Sequence, residues 1–155
     1  MDNRIGLNNT VYTYNNMNEL LSIDSELGSP GNTPWWDSSY TYRREITFGQ
    51  NHDVIPEGYT CTFTMDTTGA LQSGDDIRIV YQTDTQAVEL DRIGDIWNNT
   101  NTEISFKIQS EIPENTERGT GTYYVYYGNP QAGPPPANPS LIYLFYDDFN
   151  RANSL

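Results

Sequence analysis

Apolar and polar positions alternate with period two through most of this chain, and clusters of Gly, Pro, Asn and Asp interrupt the alternation. Tyr40, Tyr42, Arg44, Ile46 and Phe48 fall on one face of an extended segment, and Thr41, Arg43, Glu45 and Thr47 on the other. A polar stretch from Gln50 to Gly58 ends that strand, after which Tyr59, Cys61, Phe63 and Met65 resume the pattern. Residues 77–81, 87–93, 104–108, 121–127 and 141–146 predict further strands. The clearest is Tyr123-Tyr124-Val125-Tyr126-Tyr127, which Gly128-Asn129-Pro130 stops. Short strands at regular turn spacing, with no long amphipathic helix, predict an all-β fold: an antiparallel β-sandwich of jelly-roll type.

Residues 1–34 depart from this pattern. They are rich in Asn and Ser, and read as an extended arm with strand composition at Val11-Tyr12-Thr13-Tyr14 and one short helix from about residue 16 to 23. Turn formers fill residues 27–34. The expected organisation is a docking arm over 1–34, a sandwich over 35–130, a stiff spacer over 131–140, and a last strand leading toward a following domain over 141–155. The spacer follows from the prolines at 130, 134, 135, 136 and 139, which favour polyproline geometry and cannot donate to a strand ladder.

Charge narrows the partners. Among 155 residues, 21 acidic side chains oppose eight basic ones, and Lys107 is the single lysine. Nucleic acid needs clustered cations to displace counterions, so it is not an expected partner; an anionic membrane surface is disfavoured for the same reason. No stretch approaches the ~20 apolar residues of a membrane span. The opening Met1-Asp2-Asn3-Arg4 has no signal-peptide pattern, so an exported-looking composition leaves three explanations, a trimmed chain, a mature chain numbered from a new initiator, or a virus structural protein released by lysis, and the expected setting is a virion or the extracellular surface. Asn8-Asn9-Thr10 and Asn98-Asn99-Thr100 match the glycosylation pattern of exposed chains.

Enzyme chemistry finds few convergent groups. His52 is the only histidine and Cys61 the only cysteine, which leaves no His-based zinc site, and no Gly-x-Ser-x-Gly elbow is present. Asp75-Asp76 and Asp147-Asp148 are adjacent pairs, which on a strand point to opposite faces and cannot flank one glycosidic bond. No catalytic residue is expected. Asp75, Asp76, Asp91 and Asp95 are instead candidate ligands for calcium, which takes carboxylates and loop carbonyls; no other cofactor is expected. Arg43, Arg44, Arg78 and Arg92 are expected to pair at the surface with Glu45, Glu89 and Asp91 across strands.

Twelve tyrosines, three tryptophans and five phenylalanines are many for this length. A strand of tyrosines turns half its rings away from its own core, so Tyr124 and Tyr126, or else Tyr123 and Tyr127, need a second surface over them. The arm, a neighbouring subunit or a stacked sugar ring could supply it. Trp35, Trp36, Trp97, Tyr124 and Tyr126 are the candidate ligand-binding residues.

In order, Trp35-Trp36, Tyr42-Arg43-Arg44-Glu45-Ile46-Thr47, Asp75-Asp76-Ile77-Arg78, Glu89-Leu90-Asp91-Arg92 with Trp97, Tyr126-Tyr127-Gly128-Asn129 and Asp147-Asp148-Phe149 resemble the family catalogued as domain of unknown function 2341. The resemblance covers about residues 35–149. It implies a secreted or viral surface domain, often beside concanavalin-like domains, with no agreed catalytic set; the run Asp147-Asp148-Phe149-Asn150 then opens a following domain.

These readings converge on a non-enzymatic structural and adhesion module of a surface assembly, foremost a virion protein serving as capsid decoration, turret or tail-fibre base. Its partners are copies of itself or other virion subunits, and burial of aromatic faces between them contributes ~1.5–3 kcal/mol per large side chain. The alternative is a carbohydrate-binding module that meets host-surface glycans.

Overall fold

The computed structural model describes residues 11–14, 20–23, 35–49 and 52–145, the first two stretches as backbone alone. Among the described residues nine strands form: β1 (Val11–Tyr14), β2 (Leu20–Ile23), β3 (Tyr42–Ile46), β4 (Thr60–Met65), β5 (Arg78–Gln82), β6 (Ala87–Leu90), β7 (Arg92–Gly94), β8 (Thr102–Lys107) and β9 (Thr122–Tyr127). They pair antiparallel in two sheets, one ordered β2-β1-β4-β8-β7 and the other β3-β9-β5-β6. The expected all-β, two-sheet antiparallel fold is the one observed.

Alternation builds the core. Cys61, Phe63 and Met65 of β4 and Ile104 and Phe106 of β8 pack with Ile46 of β3, Ile79 and Tyr81 of β5, and Tyr123 and Val125 of β9. Phe106 and Tyr123 meet across this layer with ring centroids 5.4 Å apart. Burial pushes the Cys61 thiol up to about 12, which makes it a small core residue rather than a nucleophile. Ile55 and Ile112 pair as an isolated bridge where the long connections flanking β4 and β8 pass each other.

Four local expectations are corrected. The strand expected over 87–93 is divided: Leu90 pairs with Ile79 in one sheet and Arg92 with Phe106 in the other, so the chain changes sheets at Asp91. The short helix expected from 16 to 23 gives way to strand β2 over Leu20–Ile23, its first residues lying outside the described set; a short apolar run does not distinguish the two states by periodicity. Among the described residues after 140, which end at 145, no strand forms. Pro139–Leu141 is a single 3-10 turn capped by Asn138, because proline supplies no ladder donor there.

The fourth correction concerns the proline-rich spacer, which is bound to the sandwich. Pro136 O accepts the Arg92 amide at 3.1 Å, and Asp91 Oδ1 accepts the Asn138 amide at 2.7 Å. Thr60 Oγ1 donates to Ile142 O at 2.7 Å, and Ile142 is fully buried. Residues 129–142 thus form a strap from the four-stranded sheet, past the β6–β7 corner, to the start of β4. An edge strand needs cover, and a segment poor in amide donors covers it without extending the sheet.

Candidate functional site

The outer face of the four-stranded sheet gathers the aromatic candidates. With Tyr123 and Val125 turned into the core, Tyr124 and Tyr126 of β9 point outward beside Val80 of β5, and Tyr40, Trp36 and Ala132 pack over them. Tyr126 is fully buried and Tyr124 is 9% exposed. The outward tyrosines therefore already have their cover, from residues 35–40 and the strap. This removes the reason to expect a second subunit over these two rings: a pair of short segments, neither a regular strand, does that work.

Tyr126 is the hub. Its hydroxyl accepts the Trp36 amide at 3.1 Å and Arg43 Nη1 at 3.2 Å, and its ring meets Trp35 and Trp36 edge-on at 5.4 and 5.5 Å. The Arg43 guanidinium lies between two rings, 4.9 Å from Trp35 and 4.7 Å from Tyr124, a cation–π sandwich. Trp35 remains 41% exposed, so one indole of the cluster is open to solvent.

Arg78 is the second hub. Expected at the surface, it is 6% exposed, since both faces of β5 are covered. Its Nε donates to Tyr40 Oη at 2.7 Å, Nη1 to Glu89 Oε1 at 2.5 Å, and Nη2 to Gly133 O. The expected cross-strand partner Glu89 is thus correct, but the pair is largely desolvated. Burial raises the Tyr40 hydroxyl above its ordinary pKa against the opposing pull of Arg78.

Trp97 sits apart from the other candidates. Its ring lies against Gly74 and Gly94, where an added Cβ would come within 2.2 Å of ring atoms, and the Arg92 guanidinium stacks on it at 4.2 Å. Arg92 donates from Nε to Ile77 O at 2.9 Å and from Nη2 to Gly74 O. Its pKa falls to about 10, first through burial and then through Arg78, with Asp75, Asp76 and Glu89 opposing. This corner pins the loop before β5 to β7, so Trp97 serves packing.

The four aspartates do not assemble a cation cage. Asp76 is buried and accepts the Leu71 amide at 2.9 Å, Asp95 Oδ1 accepts the Ile96 and Glu103 amides at 2.6 and 2.8 Å, and Asp91 holds the strap. Among the described residues, no three His, Cys, Asp or Glu side chains come together as metal ligands. His52 is exposed in the loop after β3, and Asp147-Asp148 lies outside the described residues. A cleft of about 280 Å³ beside β6, walled by Val88, Leu90, Lys107 and Leu141, contains no aromatic ring.

Arg78, Arg43 and Tyr40 were not among the residues expected to form a site. The available signal was Ile77-Arg78-Ile79-Val80-Tyr81: an arginine inside a continuous apolar run belongs to a strand covered on both faces, where its charge must be partnered. By architecture the chain is an antiparallel two-sheet β-protein with one outer face sealed by its own flanking segments. No family model matches it, nor does any curated protein or solved structure.

Proposed function

We propose that this chain is a non-enzymatic structural and adhesion module of a surface assembly, in the narrower reading a virion decoration, turret or tail-fibre base that docks through residues 1–34. The observation that supports it is the use made of the buried polar groups. Tyr126 and Arg78 hold the flanking segments 35–40 and 129–133 on the sheet, as suits a joint between neighbouring parts. Docking then falls to the arm and to rings such as Tyr42, which stacks on Tyr127 at 5.2 Å and stays 55% exposed. Light scattering on the purified chain tests this: self-association is expected, and removal of residues 1–34 should abolish it while β3 to β9 stay folded, the β-sheet circular dichroism falling only by the share of β1 and β2. A chain that stays monomeric at every concentration and binds no surface subunit would refute the reading.

A second reading, carbohydrate binding, is favoured by the open Trp35 indole with Arg43 and Tyr124 beside it, an apolar platform next to a hydrogen-bond donor. Saturable quenching of tryptophan fluorescence by a glycan, lost in Trp35→Ala, would establish it.

A further inference from the structure

We infer that residues 35–40 and the strap 129–142 form one cooperative latch, so that loosening either flank of the domain loosens the other. The inference goes beyond the surface-assembly reading and does not depend on it.

The two segments are some ninety residues apart in sequence, yet they share their anchors. Arg78 donates to Tyr40 Oη in the first and Gly133 O in the second, while Glu89 holds the same guanidinium in place. Both segments also cover one apolar floor: Trp36, Tyr40 and Ala132 lie on Val80, Tyr124 and Tyr126. If residues 35–40 lift away, Arg78 loses a partner and half its cover, and water reaches the guanidinium. The bond to Gly133 O then no longer competes in a dry site and weakens. If the strap lifts, Tyr40 and Trp36 lose their lateral packing and Arg78 is again wetted.

Farther along, the strap is fixed independently, by Asp91 to Asn138 and by Thr60 to Ile142. It can therefore be disturbed from its far side, without touching residues 35–40. Each segment orders part of what the other binds, so the coupling is reciprocal. Whatever precedes residue 35 is thereby linked to whatever follows residue 142 through a joint that is shut or open as a whole, and opening uncovers the ring faces of Tyr124 and Tyr126.

Amide hydrogen exchange on the full-length chain tests this. Tyr40→Phe keeps the ring and removes the hydroxyl; it should speed exchange of the Ala132 and Asn138 amides, on the other segment, by about fivefold or more. Asp91→Ala frees the strap at Asn138 and should accelerate the Trp36 and Tyr40 amides to a similar extent. Amides of β4 and β8, such as Phe63 and Ile104, are the control and should keep their wild-type protection. Should Asp91→Ala disturb that control, Thr60→Val, which keeps the side-chain shape and removes the hydroxyl given to Ile142 O, replaces it. Acceleration confined to the segment that carries the substitution, or absent from both, overturns the latch.

Discussion

The two outer faces of this sandwich were made by the same alternation and ended differently. On the five-stranded sheet, β4 and β8 turn Thr60, Thr62, Thr64, Glu103, Ser105 and Lys107 outward, and the Thr62 and Ser105 hydroxyls meet at 2.8 Å across the strands. On the four-stranded sheet, β5 and β9 turn Arg78, Val80, Tyr124 and Tyr126 outward, and the chain returns twice to cover them. Thr62 and Ser105 answer each other across the strands, and Thr60, at the start of β4, meets the strap through a single bond to Ile142 O; such hydroxyls tolerate water. Large rings do not, and an arginine among them must have all its donors answered once it is covered. Side-chain chemistry thus decides whether a face stays open or recruits more chain, and a recruited face becomes dependent on distant segments.

The largest expected effect breaks the recruited face at its charge. Arg78→Met leaves Glu89 without its cation and Gly133 O without its donor. Urea unfolding should show a loss of about 3 kcal/mol, the low end for breaking a buried pair, because Glu89 keeps 27% of its side chain in solvent. A loss under about 0.5 kcal/mol, the size of an ordinary surface substitution, would mean that the face is open in solution and that the comparison fails.

High pH tests the inner tyrosine. Burial pushes Tyr123, whose hydroxyl accepts the Gln109 amide at 2.7 Å, up to about 12, and Cys61 likewise. Both groups have folded pKa values above their unfolded values of 10.0 and 9.0, so they keep protons that the unfolded chain releases. Their contribution is complete below about pH 9 and declines as pH rises toward 12. Arg92 acts with the opposite sign: lowered from 12.5 to about 10, it favours the folded chain as pH rises through that interval and offsets part of the loss. Stability measured against pH should therefore be level from about 7 to 9 and then fall. Tyr123→Phe, less stable at neutral pH, should show the shallower fall.

How much of this was legible depended on the range of the interaction. The strands were readable because each needs only its own alternation: Cys61, Phe63 and Met65 point inward as expected. Four of the five aromatic candidates, Trp35, Trp36, Tyr124 and Tyr126, do share one site, since an outward tyrosine face was deducible from β9 alone. What covers that face was not deducible, because Gly133 O reaches Arg78 over 55 residues and a backbone carbonyl leaves no mark in sequence. The same limit placed Arg78 at the surface and released the strap as a spacer. Trp97 was grouped with the others on residue type, whereas its environment is set by Gly74 and Gly94, whose missing side chains make room for the ring. Tyr40, assigned by alternation to the face of Ile46, lies before β3 begins and packs on the outer cluster.

A finer probe of the sealed face removes one oxygen. Tyr126→Phe keeps the ring contacts but leaves the Trp36 amide and Arg43 Nη1 without their shared acceptor. A loss of about 1–2 kcal/mol in chemical denaturation is expected, together with greater exposure of Trp36 to a fluorescence quencher. An unchanged midpoint would show that water replaces the hydroxyl freely, which a sealed site does not allow.

The smallest effect belongs to the open face, and there the sign is informative. Thr62→Val deletes half of the hydroxyl pair with Ser105, which is 7% exposed, and in return supplies a β-branched apolar side chain to a strand. The two contributions oppose, and the net change should stay within about 0.5–1 kcal/mol. Adding Ser105→Ala removes the stranded partner as well, so the double variant should be no less stable than the single one. If Thr62→Val instead cost as much as Tyr126→Phe, and Ser105→Ala restored none of it, the threonine face would be sealed as tightly as the tyrosine face, and chemistry alone would not explain why the chain covers one sheet with its own flanks.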